Sequence, residues 1–84
     1  MNHITEEGAA RADDARMRII LFGDEAKRGI THTEEHWKDI LRDIDKYETY
    51  CTQHPEYLNS RAVNTIDFLQ DRFQQHLQNN DFLI

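Results

Sequence analysis

Little in this sequence can staple, break or anchor a fold. It has one cysteine, one proline and three glycines among 84 residues. The single thiol, Cys51, closes no disulfide within the chain, so nothing demands an oxidising compartment. No segment approaches the ~18 uninterrupted apolar residues of a membrane span. Residues 1–10 hold Glu6 and Glu7 and lack the apolar run of a secretory leader, so a cytoplasmic protein is expected. Basic charge is also scarce. Ten Lys and Arg face sixteen Asp and Glu, for a formal net charge of −6. That balance argues against a phosphate-backbone partner, because nucleic-acid affinity rests on Lys and Arg displacing counterions. Gly8, Gly23 and Gly29 lack nucleotide-loop spacing.

What is present is helical period. The residues are 38% hydrophobic and 31% charged, and the apolar ones recur at regular steps, as in a folded chain. A first helix is expected over about 6–28, with Thr5 as its cap and Gly29 as a left-handed stop. Ala12, Ala15, Ile19, Phe22 and Ala26 line one face of it. Residues 17–22 are apolar enough for a strand, but no second convincing strand offers a partner. A second helix is expected over 34–53, capped by Thr33 and stopped by Pro55. Trp37, Ile40, Leu41, Ile44, Tyr47 and Cys51 form its stripe. Its outer side offers the ion pairs Glu34–Lys38, Asp39–Arg42 and Asp43–Lys46. A third is expected over 60–78, capped by Asn59 or Ser60 and stopped at Asn79 and Asn80. Ala62, Val63, Ile66, Leu69, Phe73 and Leu77 make its stripe. Short loops between such helices imply a single all-α domain, an antiparallel three-helix bundle spanning 1–84 with a short apolar tail at 81–84.

Some residues exceed what that bundle needs. Met17 and Leu21 project nearly opposite Ile19, and Ile20 lies between the two faces. Either the tail residues Phe82, Leu83 and Ile84 fold back over them, or Met17, Ile20 and Leu21 meet a partner or a second copy. Phe68 points away from Ile66 on helix three and raises the same question. Glu48 interrupts the second stripe, where a carboxylate must reach water, pair with Arg61 or Arg72, or fix the register from inside.

The chemistry-bearing patterns are sparse. His32, Glu35 and His36 spell H-x-x-E-H, the order of an inverted zinc-peptidase motif. With Thr33 as the cap, however, His32 falls outside the helix, and no further acidic ligand is identifiable. The bland reading is a helix start with solvated histidines. Cys51 and His54 are a nucleophile–base pair only in name, since Cys51 lies on the core stripe. A helix-turn-helix reading fails on the Pro55 turn and on Asp67 and Asp71 beside Arg61 and Arg72. The expectation is therefore a non-enzymatic protein-binding module with no cofactor or metal. It would be an adaptor, regulator or inhibitor of the kind phages and mobile elements encode. It would act through Met17, Ile20 and Leu21, joined by Phe68, Phe82 and Leu83. A structural homodimer built on the same face is the alternative. A nucleic-acid-binding regulator and a zinc-dependent hydrolase are the remoter readings.

Overall fold

The computed structural model describes residues 3–57 and 62–83, with side chains from residue 8 onward. Three helices follow one another: α1 (His3–Lys27), α2 (Glu34–Gln53) and α3 (Val63–Asn79). They run up, down and up in a bundle with extents of 48 × 20 × 19 Å. The run at residues 17–22 is helical throughout, and Gly23 does not interrupt it.

The helix ends follow their sequence signals. α1 closes with Gly29 at φ 85°, while the Gly29 amide donates to the Ala26 carbonyl and the Ile30 amide to that of Glu25. This pair of bonds satisfies carbonyls that the last turn leaves bare, and the positive φ favours glycine. Thr33 caps α2, its hydroxyl oxygen accepting from the His36 amide at 3.1 Å. His54, forced out of helical geometry by Pro55, ends it. α3 stops at Asn80, which adopts φ 51°, a left-handed conformation that asparagine tolerates.

Two boundaries differ from expectation. α1 begins at His3, so Thr5 lies inside the helix rather than capping it. α3 begins at Val63, with Ala62 in the cap position and no side-chain cap bond. The expected caps Asn59 and Ser60 lie outside the described residues, as do Arg61 and Ile84.

α1 is the middle of the packing, touching both α2 and α3 more than these touch each other. Its stripe of Ala12, Ala15, Ile19, Phe22 and Ala26 is buried. Trp37, Ile40, Ile44 and Tyr47 meet it from α2, and Ile66 and Leu69 meet it from α3. Leu41, Cys51 and Phe73 are half-buried against that core. Gly23 lets α3 come close, for a Cβ there would sit 2.5 Å from Thr65 Cγ2. Val63 and Leu77, read as stripe residues of α3, are exposed instead. α3 leans mainly on α1 and only lightly on α2, so its buried face is narrower than its apolar stripe. Glu48 is exposed, which removes the reading of a buried polar contact.

The top of the bundle, where α1 ends and α2 begins, is built from rings. His32 stacks on Phe22 with centroids 3.9 Å apart, and Trp37 meets Phe22 edge-on at 4.7 Å. Phe73, His76 and Phe82 continue the cluster. The tail is tied there, with the Leu83 amide donating to the His32 carbonyl at 3.0 Å.

Candidate functional site

The outer face of α1 follows from its arithmetic. At 3.6 residues per turn, the side that turns Ile19 into the core must turn Met17 and Leu21 outward. Ile19 is 0% exposed, whereas Met17 is 66% and Leu21 58% exposed. Ile20, between the faces, is 37% exposed. Met17 and Leu21 lie four residues apart and are therefore neighbours on the helix surface. Asp14 and Asp24, both exposed, flank them one turn to either side. Asp24 holds Arg28 at 2.8 Å in an exposed pair, and Asp13 accepts from the Tyr57 hydroxyl at 2.5 Å.

The remaining candidates sit elsewhere. Phe68 is half-buried at the α1–α3 edge, with Lys27 and Arg72 each about 5 Å from its ring centroid. Two cations over one aromatic ring cover much of its apolar surface. Phe82 is half-buried on Phe73 and His76, and the exposed Leu83 bridges to Thr33. Both belong to the top of the bundle, so neither lies over Met17 and Leu21, and these stay open.

No family model matches this chain. No curated protein and no solved structure matches it either. The site must be read from its own geometry.

The zinc-like pattern resolves into packing. His32 lies before the cap of α2 and is 7% exposed, which corrects the expectation of a solvated side chain. Its Nε2 lies 3.0 Å from Glu25 Oε1, and its Nδ1 is buried with no hydrogen-bond partner. His36 and Glu35 are exposed. Among the described residues no three His, Cys, Asp or Glu side chains converge to hold a metal. His54 is half-buried and lies flat on Tyr50, with ring centroids 4.1 Å apart.

A feature that sequence reasoning missed lies at the bottom of the bundle, between α1 and α2. A cleft of about 370 Å³ opens there. Its floor is the small side of α1, Gly8, Ala12 and Ala15, and Tyr47 and Tyr50 wall it from α2. Among the described residues, Arg11, Arg18 and Lys46 stand around it with a single carboxylate, Asp43. Asp43 was expected to pair with Lys46 along α2. It is instead taken by Arg18 across the two helices, at 2.8 and 3.2 Å to its two oxygens. A two-pronged guanidinium–carboxylate bond outcompetes a single ammonium contact on geometry. The hydrogen bond to Asp43 is also what chiefly raises the Arg18 pKa. The available signal was Gly8, Ala12 and Ala15 at helical spacing beside Arg11 and Arg18. Ala12 and Ala15 are core residues, as their period implies, and they also floor the cleft.

Proposed function

We propose that this protein is a binding module that takes a segment of another protein on the outer face of α1. The observation that carries the reading is that Met17 and Leu21 stand side by side with most of their surface in water. Fully burying side chains of this kind contributes roughly 1.5–3 kcal/mol each. Methionine also adapts its shape to a partner better than branched residues do. Asp14, exposed one turn before Met17, favours a partner segment with a basic residue beside its apolar ones, whereas Asp24 is already paired with Arg28. A role as regulator or inhibitor fits a small chain that works by occupying a surface.

Leu21→Asp tests this. It should abolish partner recovery in affinity purification from the native host while leaving helix content and melting within about 0.5 kcal/mol of the parent, as for an exposed site. Full retention of the partner, or loss of the fold, removes the reading. Sedimentation at several concentrations addresses the homodimer, which requires a concentration-dependent mass.

A further inference from the structure

We propose that the cleft between α1 and α2 binds a small organic anion, a carboxylate or phosphate ester carried on a planar or apolar body. The site is separate from the outer face of α1 and stands on different residues.

Three observations converge on it. The first is charge. In a chain of net charge −6, this hollow gathers three cations against one carboxylate among the described residues. Arg18 neutralises Asp43, and although Asp14 also acts on Arg18, Arg11 and Lys46 make no ion pair among the described residues. Two cations are thus left facing a hollow whose own acid is already satisfied. The second is shape. At about 370 Å³ the cleft lies within the range of small-molecule sites. It has this room because α1 presents Gly8, Ala12 and Ala15 where the upper half of the helix presents Ile19 and Phe22. A Cβ on Gly8 would sit 2.8 Å from Tyr50 Cε1, so glycine is what allows that ring to lie against the α1 backbone as a wall. The third is lining chemistry. Tyrosine faces beside an apolar floor take a planar or aliphatic body, while guanidinium and ammonium groups take a carboxylate or phosphate by charge-assisted hydrogen bonds. The volume suits a free small molecule better than a folded segment, which would need a longer groove.

The test is a titration of the ¹⁵N-labelled full chain followed by NMR, with 3-phenylpropionate and phenyl phosphate as probes. Either probe is expected to shift the amides of Gly8, Ala12, Ala15 and Tyr47 saturably, with Kd about 1 mM or tighter. The neutral 3-phenylpropanol and inorganic phosphate should bind at least about tenfold more weakly, because each lacks one half of the recognition. Arg11→Gln with Lys46→Gln should weaken the organic anion by about tenfold and leave melting unchanged, since both side chains are exposed. Leu21→Asp should leave anion binding intact, so failure here and failure of the protein-docking reading remain distinguishable. The proposal is overturned by a lack of saturation with both probes, by inorganic phosphate binding as well as they do, or by an unchanged affinity in the double variant. A blocked Glu-Phe-Glu peptide binding more tightly than either probe would also overturn it, in favour of a partner's acidic segment.

Discussion

The two ends of this bundle use the same three helices in opposite ways. At the top, Phe22, His32, Trp37, Phe73 and His76 fill the space between helices with rings, and the tail adds Phe82. At the bottom, α1 offers Gly8, Ala12 and Ala15, and the space beside them stays open as the cleft. Small residues on a helix have two outcomes. Where a partner helix comes close, as α3 does at Gly23, they become contact; where it does not, they become a hollow. Interiors pack densely because voids forfeit dispersion contacts. Stability should therefore be concentrated at the top, leaving the bottom free to bind.

The largest expected effect breaks the top. Trp37 is 1% exposed and meets rings from α1 and α3. Trp37→Ala should cost about 3–5 kcal/mol, from lost transfer energy and the cavity left behind. Calorimetric or urea unfolding checks it. A loss below about 1 kcal/mol would mean that the ring cluster does not hold the fold.

A matched pair of substitutions on α1 sharpens the contrast. Alanine in place of glycine adds roughly 1 kcal/mol of intrinsic helix stability at either position. At Gly23 the new methyl meets Thr65 Cγ2 at 2.5 Å, on a β-branched side chain with little freedom to move away. Gly23→Ala should thus be destabilising by about 1–2 kcal/mol net, since overpacking outweighs propensity. At Gly8 the methyl meets Tyr50 Cε1 at 2.8 Å, a less severe approach, made to the far end of a half-buried ring and not to a branch next to the backbone. Gly8→Ala should be neutral or slightly stabilising by the same denaturation assay, and it should narrow the cleft. Equal effects at the two positions would erase the distinction between close-packed and open ends.

Most of the fold is legible in the sequence because its signals are local. Thr33, Pro55, Gly29 and Asn80 act through their own backbone geometry, and each ends or begins a helix as expected. The exposure of Met17 and Leu21 was equally legible, since helical period alone turns them away from Ile19. What was not legible depends on contacts distant in sequence. Nothing near Asp43 announces that Arg18 claims it from another helix. His32 looks like a polar residue before a cap, and only the approach of Phe22 and of the tail buries it. Val63 and Leu77 carry the pattern of a core face, but a helix with one main neighbour has no second surface to cover them. The cleft is not legible for a related reason. Alanine and glycine at helical spacing permit a close approach without stating whether one is made.

The smallest expected effect concerns the tie that closes the bottom end. The Tyr57 hydroxyl donates to Asp13 Oδ1 at 2.5 Å, fastening the segment after α2 to α1. Desolvation and, next, this hydrogen bond raise the Tyr57 pKa above its ordinary value of 10.0. A raised pKa in the folded state means that the neutral phenol is stabilised by folding. Its contribution is fully present below pH about 10, where an unfolded tyrosine still holds its proton, and is lost as pH rises through the higher folded value. Between those limits the unfolded chain has released a proton that the folded chain retains, so stability falls with increasing pH. Tyr57→Phe removes both the bond and this linkage. Urea midpoints from pH 8 to pH 11 (roughly the span around a model tyrosine's titration) should therefore fall more steeply in the parent than in the variant, with the two curves converging at the alkaline end. The other tyrosines are common to both proteins, so the difference isolates Tyr57. Parallel curves would mean that the phenol is not held by Asp13, and the bottom of the bundle would then be looser than the packing of Tyr47 and Tyr50 implies.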